Sequence, residues 1–277
     1  MLQKKIIDLS LPLQTNSGEP VSVEITQVGH KDGGNIFGKK FAFRKQNNIF
    51  RRLQSILLYY MGVKRLSNNS FPDAEFLNME IVKASTHSGT HFDAPYHFGS
   101  TSEGKPALTI DLIPLDWCFN DGVVLDFTQK KPGETITLDE MQRAINKIDY
   151  NIKPDDIVLL HTGASKYWGS KQYLNAHPGL SREALLFLLE MGIRIIGIDA
   201  YGMDRPFKDM LADYFKTGNQ KILFPAHFTG REKMYCHIER LANLNLLPPN
   251  GFKVACFPVN IKNSGAAWAR VVAILDQ

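Results

Sequence analysis

The chain has 277 residues, 44% of them hydrophobic and 22% charged, enough to bury a sizeable core in one large domain or two small ones. Its net charge of +4 is mild and its Lys and Arg are scattered apart from Lys39-Lys40 and Arg51-Arg52, which excludes nucleic-acid binding as the leading reading. No stretch reaches the ~18 uninterrupted apolar residues of a membrane span, and the 3 cysteines, Cys118, Cys236 and Cys256, lack CxxC spacing and an even count, which excludes a disulfide framework.

Near the start, Lys4 and Lys5 precede an apolar run that Asp8 and Gln14 interrupt, so no signal-peptide core forms. With free thiols this predicts a soluble, cytoplasmic protein. Residues 29 to 47, rich in Gly, Lys and Asn, read as a loop. After them Ile49, Phe50, Leu53, Ile56, Leu57 and Tyr60 recur at helical spacing, with Arg51, Arg52 and Gln54 off that face. Such a stripe packs on its own domain or on a sister subunit, and its place just before the next motif lets it wall a pocket.

That motif is His87-Ser-Gly-Thr-His91-Phe-Asp93-Ala-Pro-Tyr-His97, three imidazoles and a carboxylate in a chain with only 8 His. Imidazole and carboxylate are the ligands that borderline divalent ions such as Zn²⁺ and Mn²⁺ prefer. A helical turn would put His87 and His91 on one side, with Asp93 within reach of the same ion. Three protein ligands leave positions open for water, as a catalytic metal requires. Gly89 permits close backbone approach or positive φ, while Pro95 should end the turn and leave His97 beyond it as an acid or base.

Downstream, short aliphatic runs at 122–126, 156–160, 194–198, 253–257 and 269–275 read as buried strands of an α/β fold. Between them Thr137-Leu-Asp-Glu140 is a capping box opening a helix through about Lys147, and Ser181 opens another that Gly192 closes. His161 and Asp199 follow strand ends; the expected roles are a satisfied imidazole and a turn cap, with Thr162 and Gly163 as candidate donors to a substrate. The loops Tyr167-Trp168-Gly169 and Tyr201-Gly-Met-Asp-Arg205 are candidates for substrate contact or for plain packing.

The 87–97 stretch resembles the HxGTHxDxPxH signature of the cyclase superfamily, which includes bacterial kynurenine formamidase and isatin hydrolase. Asp8-Leu-Ser-Leu-Pro-Leu is similar to the family's opening strand, His177-Pro-Gly-Leu-Ser181 to its mid-chain loop, and Ile196-Gly-Ile-Asp199 to the strand end that follows. The resemblance covers residues 5 to 15 and 80 to 275, and it leaves roughly 30 to 78 as a family-atypical insertion in a single domain spanning 1–277. It implies an α/β fold of the swivelling β/β/α type, a mixed sheet flanked by helices, assembled as a homodimer or homotetramer. It also implies that His87, His91 and Asp93 bind a divalent metal and that His97 assists proton transfer. In dinuclear relatives the Asp bridges to a second ion held by a later His and Glu, for which His227 and Glu239 fit; nearby His237 and Cys236 are either competing ligands or packing residues.

The expected activity is therefore hydrolysis of a C–N bond in an arylformamide or cyclic amide small molecule, using one or two Zn²⁺ or Mn²⁺ ions. The alternative keeps the metal but cyclises or dehydrates a polyketide-like or other carbonyl metabolite. A binding module with a structural metal would need a closed coordination shell, against the apparent open set. The chain has no GxSxG elbow and no recognisable cysteine nucleophile motif.

Overall fold

A computed structural model describes residues 4–276, which divide into two compact units, Glu24–Lys83 and the remainder of the chain. Its strands of three residues or more are β1 Lys4–Asp8, β2 Glu24–Val28, β3 Met79–Lys83, β4 His91–Asp93, β5 Phe119–Asp126, β6 Ile157–His161, β7 Ile195–Ile198, β8 Cys236–Glu239, β9 Phe252–Ala255, β10 Ala266–Trp268 and β11 Val272–Asp276. The helices are α1 His30–Ala42, α2 Ile49–Tyr60, α3 Pro95–Phe98, α4 Leu138–Lys147, α5 Arg182–Glu190, α6 Phe207–Thr217 and α7 Pro225–Glu232.

In the larger unit nine strands form one mixed sheet in the order β1-β11-β9-β5-β6-β7-β8-β4-β10. The central run from β5 to β8 is parallel and both flanks are antiparallel. The parallel strands are continuous aliphatic runs because both of their faces are buried. Ile157, Leu159 and Ile195 enter one core cluster, and Val158, Leu160, Ile196 and Ile198 enter the other. Met141 of α4, four residues of α5 including Leu185 and Leu188, and Ala226 of α7 cover the second face. The capping box is formed as expected: Thr137 accepts from the Glu140 amide, Glu140 bonds back to the Thr137 amide, and α4 ends at Lys147.

The unit Glu24–Lys83 pairs β2 with β3 antiparallel and carries α1 and α2. Residues 30–42 are helical, not the loop expected from their glycines, and only the stretch around 43–48 is irregular. Gly33, Gly34 and Gly38 are buried on the helix because other backbone approaches there, so their role is contact and not breakage. The stripe on α2 is helical as expected, capped by Asn48, whose side chain accepts from the amides of Phe50 and Arg51. Of the strand expected over 269–275, the structure forms the part from Val272 as β11, while residues 269–271 are irregular and follow β10, which ends at Trp268.

Candidate metal centre

Strands β4 and β8 are antiparallel neighbours whose register sets His237 opposite Asp93 and Glu239 opposite His91. Side chains two apart on a strand share a face, and residues paired across strands share it too. These four side chains therefore form a square on one face, while Phe92 and Ile238 point into the core on the other. The expected helical turn at 87–91 is absent: His91 and Asp93 lie on a strand, and His87 sits in the preceding turn, where Gly89 has φ +62°. Pro95 opens a helix and does not end one, because at its first position the missing N–H costs nothing. That short helix carries His97.

The turn holding His87 is anchored by a buried ion pair. Arg240 pairs with Glu19 and also donates to the His87 carbonyl, while Glu19 Oε1 accepts from the Gly89 amide at 3.0 Å. His227 stands on α7, and Asp204 fixes it there: its carboxylate accepts from the amides of Ala226 (2.7 Å) and His227 (3.2 Å) at the helix start and from His227 Nδ1 at 2.5 Å.

Asp93 Oδ1 lies 3.1 Å from His87 Nδ1 and 3.6 Å from His91 Nε2, and Glu239 Oε2 is 3.6 Å from His91 Nε2. On the other side Asp93 Oδ2 lies 2.8 Å from His237 Nε2, which is 3.3 Å from Glu239 Oε1; His227 Nε2 is 3.8 Å from the same oxygen. Each carboxylate thus turns one oxygen toward His87 and His91 or His91 alone, and the other toward His227, His237 or both. Donors about 2.1 Å from a shared ion at 90 to 110° stand roughly 3.0–3.4 Å apart, the scale of these separations. His91 Nε2 and Asp93 Oδ1 are buried and have no hydrogen-bond partner, an expensive condition for a lone pair and a carboxylate oxygen unless a cation lies between them. His91 Nδ1 faces the Gly89 carbonyl at 2.9 Å, so Nδ1 carries the hydrogen and Nε2 offers its lone pair. The donor set fits a divalent cation.

Burial alone would push the Asp93 carboxyl up, but His91, His237 and His87 outweigh it and hold it well below the ordinary value. Glu239 is lowered in the same way, burial and the Asp93 charge being overcome chiefly by His237, with His227 and His91 adding to it. For His227, burial opposes protonation, yet Asp204 raises the imidazole to about 9. His97 is solvent-exposed at the pocket, its pKa held down by partial burial and by the neighbouring imidazoles against the pull of Asp93.

Among the described residues, two groups place their ligand atoms within 4.8 Å of one another: His87, Asp93 and His97, and Asp93, His227, His237 and Glu239. The six residues singled out from sequence, His87, His91, Asp93, His97, His227 and Glu239, come together in space. Cys236 does not join them; it is buried in the opposite core cluster. His237 does join, and its only sequence signal was its position two residues before Glu239. Thr162 and Gly163 are not free to meet a substrate, because Asp199 accepts from both amides and from the Thr162 hydroxyl.

A cavity of about 240 Å³ opens onto the cluster, lined by His87, His97, His227 and Glu239 and walled by Tyr201, Phe207, Met210 and Phe224. Phe207 and Phe224 stack at 5.7 Å with an interplanar angle of 20°. A larger cavity of about 330 Å³ beside Leu11, Trp268 and Arg270 contains none of the imidazoles and offers no comparable chemistry.

Residues 7–205 match the sequence profile described as "Putative cyclase". This chain belongs to the cyclase family. Kynurenine formamidase of Bacillus cytotoxicus is 27% identical over 128 residues, 46% of this chain and 54% of that protein. Isatin hydrolase of Roseibium aggregatum is 25% identical over 215 residues, 74% of this chain and 78% of that protein. The chain spans about half the length of the first curated relatives it matches. The crystal structure of an isatin hydrolase bound to the product analogue thioisatinate aligns with 99% of this chain and 93% of its own at a TM-score of 0.71 and 20% identity, a likeness of fold. The cyclase-family mixed sheet flanked by helices is thus the fold of this chain.

Proposed function

We propose that this cyclase-family protein is a divalent-metal-dependent hydrolase that cleaves the C–N bond of an arylformamide or cyclic amide. The observation that carries the reading is the pair of buried carboxylates, Asp93 and Glu239, ringed by imidazoles whose Nε2 atoms face them. His87, His91 and Asp93 are assigned to one ion, with Zn²⁺ and Mn²⁺ both suited to the donors, and Asp93, His227 and Glu239 to a second. A divalent cation there supplies Lewis acidity, making water ionisable near neutral pH and polarising a carbonyl.

The chain's own groups supply the rest. His97 lies with its ring centroid 4.3 Å from that of His87 and 5.4 Å from that of His227, at the pocket and in reach of solvent. It is the group placed to take a proton from water and return it to the departing nitrogen. Aromatic walls favour a planar substrate. Both arginines at the cavity are already paired, Arg205 with Asp213 and Arg240 with Glu19, so the site does not select for strongly anionic ligands. The relatives named for formamide and isatin hydrolysis support the same bond type. We place the protein as a homodimer or homotetramer in the cytoplasm.

The test is metal content per chain by elemental analysis combined with hydrolysis of arylformamides and lactams in ¹⁸O-labelled water. Chelation should abolish turnover, added Zn²⁺ or Mn²⁺ should restore it, and one labelled oxygen should enter the product. A rearranged product without label would favour cyclisation; turnover indifferent to chelation would end the metal reading. His97→Ala should keep its metal and lose about 10²-fold or more in kcat; metal loss in step with activity would make His97 a ligand instead.

A further inference from the structure

His237 is not part of the ligand set assigned above, yet its position gives it a ligand's geometry. The residue is completely buried, and its Nε2 lies 2.8 Å from Asp93 Oδ2 and 3.3 Å from Glu239 Oε1. Its other nitrogen decides what Nε2 can do. Tyr235 Oη is 2.9 Å from the Ala226 carbonyl oxygen and 3.2 Å from His237 Nδ1. A carbonyl only accepts, so the phenol's one hydrogen points to Ala226, and the phenol oxygen must accept from His237 Nδ1–H. In the neutral ring this leaves a lone pair on Nε2, facing two buried carboxylates at short range.

A lone pair facing a carboxylate at 2.8 Å is repulsive unless a proton or a metal cation lies between them. Packing fixes the ring there: Phe98 lies 4.9 Å from it and His227 4.7 Å, centroid to centroid. His227 is held in the same way, since Asp204 takes its Nδ1–H and turns its Nε2 to the same side.

Resting on the divalent-metal reading above, we propose that His237 is itself a metal ligand. Its Nε2 completes, with Asp93 Oδ2, His227 Nε2 and Glu239 Oε1, a shell of two imidazoles and two carboxylates around the second ion. Four protein donors make a closed shell of the kind that retains an ion. This assigns the two positions different work. The ion at His227 and His237 is the held one, and the ion at His87 and His91, beside His97 and the cavity, keeps positions open for water and substrate. Tyr235 acts through His237 as a positioning residue, fixing which nitrogen bears the hydrogen.

The experiment is titration of chelator-stripped protein with Co²⁺ and with Zn²⁺, reading stoichiometry, affinity against a competing chelator and the visible Co²⁺ absorption spectrum. Wild type, His237→Phe and Tyr235→Phe are compared, with circular dichroism as a folding control. Wild type should bind two ions. His237→Phe should lose one or weaken it by more than 100-fold with a changed spectrum, and Tyr235→Phe should keep both while weakening one about 10- to 100-fold. Unchanged stoichiometry, affinity and spectrum in His237→Phe overturn the proposal and leave the hydrolase reading standing. Failure of wild type to bind either ion overturns both. If His237→Phe does not fold, Tyr235→Phe decides: unaltered affinity and spectrum count against the ligand role.

Discussion

At the scale of single residues, what each histidine can do is decided by the partner of its second nitrogen. Asp204 illustrates this, since it holds His227 Nδ1 and two amides at the start of α7. Asp204→Ala should lower metal affinity about 10- to 100-fold in a chelator competition without touching a ligand atom; an unchanged affinity would show that α7 positions His227 unaided. His177 shows the opposite electrostatic case. It is 1% exposed, its Nε2 faces the Asp204 carbonyl at 3.2 Å, and burial pushes its imidazole down to about 4. Between the unfolded value of about 6.5 and the folded value the unfolded chain binds more protons, so stability is lost as pH falls through that window. A displacement of this size corresponds to roughly 3 kcal/mol, present in full above pH ~6.5 and gone by about pH 4. His177→Gln should flatten that part of the stability profile, measured by urea unfolding of both chelator-treated proteins from pH 4 to 7; parallel profiles would mean that His177 is protonated equally in both states. Much of the site was legible at this scale because His87, His91, Asp93 and His97 crowd one motif and His227 and Glu239 matched a family pattern. Tyr235, Asp204 and the Glu19–Arg240 pair were not, since their parts depend on hydrogen bonds across the fold, between residues up to 221 apart for Glu19 and Arg240.

At the scale of elements, apolar runs and caps were good guides and glycines were not. Strands β5, β6 and β7 and helix α4 fall where their patterns place them. By contrast α1 is hidden by Gly33, Gly34 and Gly38, whose purpose is visible only when their neighbours are known. A Cβ added at Gly38 would meet the Leu66 carbonyl oxygen at 1.9 Å, and one at Gly34 would meet Asn68 at 2.6 Å. Asn68 is buried and ties the unit together, donating to the carbonyls of His30 and Ala74 and accepting from the Asn35 amide. Two effects therefore oppose each other in Gly38→Ala. Helix propensity favours Ala by up to about 1 kcal/mol, while overpacking against backbone costs roughly 1–3 kcal/mol because the neighbour cannot rotate away. The steric effect should win, and amide hydrogen exchange should quicken across 24–83 while the β5–β8 strands keep their protection. Slower exchange in α1 would show that the Leu66 segment gives way easily. The turn at 87–91 taught a related lesson: spacing of four suggested a helix, but β-bridging to β8 and β10 made residues 91–93 a strand.

At the scale of the whole molecule, the apolar stripe on α2 bears on assembly. Among the described residues, Ile49, Phe50, Leu53, Leu57 and Tyr60 are all exposed, Phe50 to 78%, and Phe37 and Phe41 of α1 are exposed as well. An amphipathic helix ordinarily turns such a face inward, and contiguous apolar surface of this kind marks an interaction site. No helix among the described residues is long and apolar enough to cross a membrane. The stripe's polar face is also not strongly charged, with Arg51 and Arg52 the only basic residues of α2, whereas a helix lying on a bilayer carries many more. A second copy of the chain is the occupant that matches the expected homodimer or homotetramer, because a closed symmetric contact buries the same patch on both partners. Light scattering coupled to size exclusion should therefore give a mass of at least twice 31.2 kDa. Phe50→Asp combined with Leu57→Asp should move it toward the single-chain mass, since exposed positions tolerate charge in the monomer but a buried contact does not. Retained circular dichroism and metal content would show that only assembly was lost. Wild type that runs as a single chain at micromolar concentration would remove the oligomer from the account, and an oligomer unmoved by both charges would place its contact on another face.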